Sequence, residues 1–447
     1  MENLDGTIVA TAAPSMARSL GVSSVDIGVT ITAYLLTLAV LIPLSGWVTQ
    51  RWGVRTIFLS AIALFTAASA LCAISGNLVE LTAFRVLQGV GGAMMVPVGR
   101  LAVLRSTAKS DVIRAVALLT WPALAAPVIA PLLGGLFTTY LSWHWIFLVN
   151  LPLGIAAFCV ALRLIPSVRE ERPPVLDWNG LVLTCAAVAS FVVFADLLAG
   201  AAVAWLPAAG IGCLAIVLTA AATRRLLRAA HPLLELRILR IATFRISHAG
   251  GSVFRMTVSA VPFLLPLMFQ DAFGWSPVKA GAVVLLVFVG NLAIKPTTTP
   301  LLMRFGFRTV MLGATACAAV SMVMNGLLTA ETPILLTGAV MVFGGMARSV
   351  GFTAYNTIAF ADVAPAELHR ANTLSSTVQQ VAAGFGVAIG AVALRAGDPM
   401  AGWAHLPQPT GPYRFAFFVL ALLTVLPVVE AARAERNAGD ALRVGRP

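Results

Sequence analysis

Apolar runs of about 20 residues, each long enough to cross roughly 30 Å of hydrocarbon as a helix, recur from one end of this chain to the other. Little separates them, so no stretch is left over for a soluble domain. A composition of 59% hydrophobic and 11% charged residues, with a mean hydropathy of +0.92, agrees with a chain whose main solvent is lipid. The fold class this dictates is all-α: a polytopic membrane protein of about 14 transmembrane helices.

The runs lie near 1–19, 28–49, 55–77, 79–103, 113–139 and 143–165, then 178–200 and 203–223, then 247–272, 278–300, 309–329, 333–356, 373–395 and 413–432. The pattern is six, two, six. Residues 1–168 read as an N-terminal six-helix bundle, 169–245 as a two-helix insert with a basic cytoplasmic linker, and 246–447 as a C-terminal six-helix bundle with a short cytoplasmic tail. An internal echo supports related halves. RWGVRT (Arg51 to Thr56), after the second run, recurs as RFGFRT (Arg304 to Thr309), after the tenth. Two such bundles would enclose a central path and rock to expose it to either side in turn.

The net charge of +12 does not point to nucleic acid, because the cations sit in short connections rather than along one face. They split by loop. If the first helix runs outward, only Arg18, Lys279, Arg395 and Arg414 fall outside, while Arg85, Arg100, Arg255, Lys295 and Arg348 fall within spans. The rest gather on the cytoplasmic side, which predicts cytoplasmic termini in a bacterial inner membrane. Neither of the other two lysines, nor Lys109, follows a glycine, so no phosphate-cradling GxxxxGK[ST] loop exists and ATP is not a partner. Cys72, Cys159, Cys185, Cys213 and Cys317 lie in apolar stretches without metal-ligand spacing and read as buried packing residues.

The first run begins at Met1, so Asp5 has almost nothing before it. About 20 residues are needed to span, so the first helix reads as truncated or its start as mis-assigned, which an apolar stretch encoded upstream in frame would settle. With that stretch Asp5 lies deep in the bilayer, where a carboxylate costs about 2.5–3.5 kcal/mol and suits proton exchange. Without it, Asp5 reads as an interfacial N-cap. Arg85, Gln88 and Gly92 follow i, i+3, i+7 spacing and put a cation, an amide and a gap for close approach on one helical face. Arg85 either communicates with Asp5 or snorkels to the interface. Arg255, Lys295 and Arg348 should each face a cavity or a partner, either to bind an anionic substrate or to neutralise helix-end carbonyls. Phe254, Phe263, Met268, Trp121 and Met322 could line a drug pocket, or simply pack.

Leu4-Asp5-Gly6-Thr7-Ile8-Val9 through Pro14, Arg85-Val-Leu-Gln88-Gly89-Val-Gly91-Gly92-Ala93, and the run from Ser142-Trp143-His144-Trp145 to Asn150-Leu151-Pro152-Leu153-Gly154 together resemble the signatures of the major facilitator superfamily. More narrowly they resemble its fourteen-helix drug:proton antiporter branch, the EmrB/QacA type, and within it the MdtD-like multidrug transporters. The resemblance covers nearly the whole chain. It implies secondary active transport, not an enzyme: proton-coupled export of small amphipathic compounds, with no cofactor beyond a proton gradient. Asp5 and Arg85 would carry the coupling; the candidates for the substrate cavity, Gln88, Arg255, Lys295 and Arg348, rest on their polarity within spans and not on the resemblance.

Two further motifs match with departures. The stretch containing Pro131, Gly134 and Gly135 resembles the fifth-helix antiporter motif GxxxGPxxGG, with alanines at two glycine positions, so a purely structural kink stays open. Gly46 to Arg55 resembles the loop motif GxxADRxGxR. Gly46, Arg51, Gly53 and Arg55 match it, Arg304, Gly306 and Arg308 echo it, and Gln50 replaces its acidic residue. A neutral Gln50 predicts a weakened cytoplasmic charge latch. A symporter, an exporter of a specific and anionic metabolite, and a transport-inactive sensor remain alternatives. A small-molecule substrate and the lipid bilayer are the expected partners; no tail or coiled coil advertises a periplasmic adaptor.

Overall fold

The computed structural model describes residues 1–106, 126, 129–165, 176–199, 205–230, 232–364, 367–403 and 409–433. The described residues are helical, with ten helices long and apolar enough to span a membrane and an eleventh span made of a bent pair. The chain divides into two compact units, one of Met1–Leu198 with Val203–Leu234 and one of Ala199–Ala202 with Glu235–Pro447.

The first unit contains α1 (Glu2–Leu20), α2 (Gly28–Leu41), α3 (Leu44–Trp52), α4 (Val54–Ala73), α5 (Leu78–Ser106), α6 (Ile129–Tyr140), α7 (Trp145–Leu148) and α8 (Asn150–Leu164). It also holds α9 (Trp178–Ala199) and α10 (Trp205–Arg228). Of the spanning windows in α9 and α10, only 22% and 17% of residues are buried. Most residues of both helices are therefore exposed or only partly covered by protein, which suits a surface facing lipid. Leu206 is 86% exposed, a cost that water would not permit across so many neighbours.

Close helix approach in this unit depends on small residues of α5. A Cβ on Gly91 would lie 2.8 Å from the Phe65 nitrogen and 2.9 Å from the Ala61 carbonyl, both backbone atoms of α4. One on Gly89 would lie 2.8 Å from the Thr37 side chain of α2, and one on Gly92 would meet Leu38 and the Tyr34 hydroxyl. The run GVGG thus seats α5 against two helices at once, where dispersion contacts replace the hydrophobic drive that lipid does not supply.

The second unit contains α11 (Ala242–Leu267), a π-turn at Met268–Ala272, α12 (Pro277–Ala293), α13 (Lys295–Phe305), α14 (Phe307–Leu327), α15 (Ile334–Ile358), α16 (Leu368–Trp403), α17 (Gly411–Leu423) and α18 (Val425–Arg433). Here α11 packs on α16, α12 on α15, and α14 on α15 and α17.

Some expected spans are broken. The run 28–49 stops at Leu41 and restarts at Leu44 around Pro43, and 278–300 bends by 48° between Ala293 and Lys295, ahead of Pro296. The runs 143–165 and 413–432 each remain one span, Trp145–Leu164 and Gly411–Arg433, with only a one-residue irregularity at Val149 and at Thr424. Continuity of hydropathy hides the first of these breaks, because Leu41, Ile42 and Leu44 around Pro43 are as apolar as the rest of their run. The run 373–395 extends further than expected, to Leu368–Trp403. Most of 113–139, with Trp121, lies outside the described residues.

The cysteines correct the sequence reading. Cys72 is buried, but Cys159 and Cys213 are exposed and Cys185 and Cys317 only partly covered. An apolar run in a membrane helix has a lipid-facing side as well as a packed one, so hydropathy does not imply burial in protein.

Candidate functional site

Both RWGVRT and RFGFRT build the same device, each within its own unit. Gly53 (φ 86°, ψ 148°) ends α3 and precedes α4; Gly306 (φ 79°, ψ 159°) ends α13 and precedes α14. A side chain is strained at those angles, which is why glycine holds both positions. Two residues on, Arg55 Nη2 donates to the Leu162 carbonyl at 2.7 Å, and Arg308 Nη2 to the Ala432 carbonyl at 2.6 Å. Each arginine thereby satisfies an orphan carbonyl in the last turn of its unit's sixth span, where the helix dipole also favours a cation. Arg51 lies 5.7 Å from the rings of both Trp47 and Trp52, and Arg304 lies 5.4 Å from that of Phe305. Gln50 stands half-buried on α3, and Gly46 lies in the same helix.

Deep in the first unit, five helices deliver polar side chains to one point. Asp5 on α1 is 1% exposed, and Arg85 and Gln88 on α5 and Asn150 at the start of α8 are wholly buried. Arg85 Nη1 donates to Asp5 Oδ2 in a buried ion pair and to Gln88 Oε1 at 2.6 Å. Gln88 Nε2 donates to Asp5 Oδ1 and Ser69 Oγ at 3.0 and 2.7 Å, and Asn150 Nδ2 also donates to Asp5 Oδ1, at 3.0 Å. Tyr34 of α2 supplies a ring face 4.0 Å from the Arg85 guanidinium carbon.

The geometry brings three of the expected residues, Asp5, Arg85 and Gln88, into direct contact. Asp5 is not the N-cap of α1, and the Arg85 side chain is enclosed by protein. The carboxylate receives three donors while the guanidinium keeps Nε and Nη2 without acceptors, as Tyr34 keeps its hydroxyl and Asn150 its Oδ1. The cluster holds charge tightly on the carboxylate side and retains unfilled donors on the other.

The sequence reading brought Asp5, Arg85 and Gln88 forward but missed Asn150, Ser69 and Tyr34. Asn150 lies in the run from Ser142 to Gly154, and an amide in an apolar helix is the signal that could have found it. Ser69 and Tyr34 carry no such signal. The fifth-helix motif contributes packing at the same place. Pro131, Gly134 and Gly135 are buried, and a Cβ on Gly134 would lie 3.0 Å from the Ile8 carbonyl of α1. Pro127 of that motif lies outside the described residues.

In the second unit the three span cations find neutral partners. Arg255 Nη2 donates to Asn356 Oδ1 at 2.7 Å and lies 4.6 Å from the Phe352 ring; Lys295 Nζ donates to Thr353 Oγ1 at 3.2 Å. Arg348 lies 5.3 and 5.6 Å from the rings of Phe352 and Phe288. Phe254, Phe263, Met268 and Met322 are each at most 2% exposed and pack within the bundle. Among the described residues, no group of His, Cys, Asp and Glu is placed to hold a metal ion.

The family model of the Major Facilitator Superfamily matches residues 1–228 and 248–437. A relative from Cronobacter sakazakii, named "Putative multidrug resistance protein MdtD", is 38% identical over 437 residues, covering 97% of this chain and 92% of its own. One of the same name from Escherichia coli is 35% identical over 457 residues, covering 100% of this chain and 94% of its own. Among solved structures, an autoinhibited POT family peptide transporter is similar with a TM-score of 0.70 at 15% identity, over 97% of this chain and 96% of that one. The inward-open xylose transporter XylE from E. coli is similar with a TM-score of 0.61 at 12% identity, over 99% and 98%. At those identities the likeness is one of fold.

Proposed function

We propose that this chain, which belongs to the major facilitator superfamily, exports small amphipathic compounds across the bacterial inner membrane in exchange for protons. As a member of that superfamily it is a multi-pass secondary transporter. Proton coupling, outward direction and cytoplasmic termini are the further steps.

The observation that carries the coupling is Asp5, a carboxylate buried among apolar helices and balanced by one guanidinium and two amides. Deprotonated, it holds α1, α5 and α8 together through Arg85, Gln88 and Asn150. Protonated, it loses the Coulomb part of that attraction, and Arg85 must find another partner or another position. Alternating access then follows if the two protonation states favour opposite-facing arrangements of the bundles. The names of the relatives support small drug-like compounds as cargo. The cations Arg255 and Lys295, which meet no carboxylate among the described residues, favour a second reading, in which the cargo is a metabolite carrying an anionic group.

The test is proton movement in everted vesicles holding a preformed pH gradient. Adding a transported compound should dissipate the gradient with the native chain and leave it intact with Asp5→Asn. A panel spanning lipophilic cations, neutral amphiphiles and carboxylates separates the two cargo readings. Gradient dissipation at the native rate by the Asp5→Asn chain would overturn the coupling.

A further inference from the structure

We infer that the second unit contains a buried binding site for one small inorganic anion of the halide class, at the guanidinium of Arg348. A cavity of about 20 Å³ lies among α11, α12, α14 and α15, lined by Arg348, Asn325 and Ser321 and otherwise by apolar side chains such as Val287, Met322 and Met341. That volume admits one occupant of about the size of a water molecule and excludes an organic metabolite.

The lining has the donors an anion needs. Nε and Nη1 of Arg348 are buried and make no hydrogen bond, although a guanidinium is an obligatory donor. Its flanking groups are the faces of Phe288 and Phe352, which attract a cation but accept no conventional hydrogen bond. Asn325, 3% exposed, also leaves Oδ1 without a partner, and rotation of its amide presents NH₂ to the same space. The Ser321 hydroxyl is already committed to the Ala318 carbonyl at 2.9 Å.

Charge decides between occupants. Arg255 and Arg348 lie 4.6 and 5.3 Å from the single ring of Phe352, and neither is ion-paired with a carboxylate among the described residues. Two like charges sharing one ring, both only partly exposed, repel, and a bound water would satisfy donors without removing that repulsion. A halide does both. The site uses no residue of the Asp5 cluster and does not depend on proton coupling.

Thermal unfolding of the purified chain in detergent, with chloride replaced by gluconate, reads this directly. Chloride at about tenfold its half-saturating concentration should raise the transition by on the order of 1.5 °C, and the rise should vanish in Arg348→Gln. Crystals of the native chain grown in bromide should show an anomalous peak within hydrogen-bonding distance of Arg348 Nε, a result independent of whether the variant folds. An equal halide response in Arg348→Gln, or bromide-soaked crystals with ordered bromide elsewhere but only water beside Arg348, would overturn the assignment.

Discussion

Replacing Asp5 by asparagine keeps the size of the side chain and an oxygen that can still accept from Gln88 and Asn150, but removes the charge opposite Arg85. The guanidinium is then left with the Gln88 oxygen at 2.6 Å and the Tyr34 ring at 4.0 Å, while Nε and Nη2 remain unfilled. Removing one partner of a fully buried pair costs about 3–5 kcal/mol, because the other charge stays desolvated. Arg85→Gln should cost less, about 1–3 kcal/mol, since the stranded carboxylate can take up a proton and become neutral.

The double variant removes both charges, so the two losses should not add. The interaction free energy is expected at roughly 1–3 kcal/mol in the favourable sense. A double-mutant cycle on denaturant unfolding in detergent measures it, alongside substrate-driven proton movement in vesicles. Asp5→Asn and the double variant should both fold well enough to bind substrate while moving protons at least about tenfold more slowly than the native chain. Additivity of the two single effects within about 0.5 kcal/mol would show that the pair is not an energetic unit and refute the reasoning.

Asn150→Leu strands no charge but removes one donor from Asp5, and should lower stability by about 1–3 kcal/mol while shifting the pH dependence of transport, read from rate against pH in vesicles. Gly91→Ala forces a methyl against the α4 backbone and should cost about 1–3 kcal/mol, whereas Gly210→Ala on α10, with open space around it, should be neutral or gain up to about 1 kcal/mol; parallel melting curves compare them. Arg55→Leu and Arg308→Leu should each lose about 0.5–1.5 kcal/mol by freeing a helix-end carbonyl, visible as faster hydrogen exchange near Leu162 and Ala432 respectively. Gln50→Asp should change the transport rate in vesicles by restoring an acid beside Arg51; an unchanged rate would end the latch argument.

Much was legible before any tertiary information. The length of each apolar run is a local property, and a backbone in hydrocarbon has no partner but itself, so the helices and their rough limits follow from counting. The echo RWGVRT and RFGFRT marked the two places where a glycine turn and a helix-end arginine recur. Asp5, Arg85 and Gln88 stood out because charge and amide are rare in such runs.

What only packing decided is which face of each helix meets protein. Lipid and helix interior are equally apolar, so hydropathy cannot tell Cys72, buried against α5, from Cys159 or Cys213 facing outward. For the same reason Tyr34 and Ser69 could not be assigned to the Asp5 cluster, nor Arg348 to a cavity beside Asn325. Those placements depend on how α5 settles through Gly89, Gly91 and Gly92 against α2 and α4, and how α15 lies against α12 and α14. They are contacts between residues far apart in the chain, and a pattern read along one helix carries no information about its neighbour.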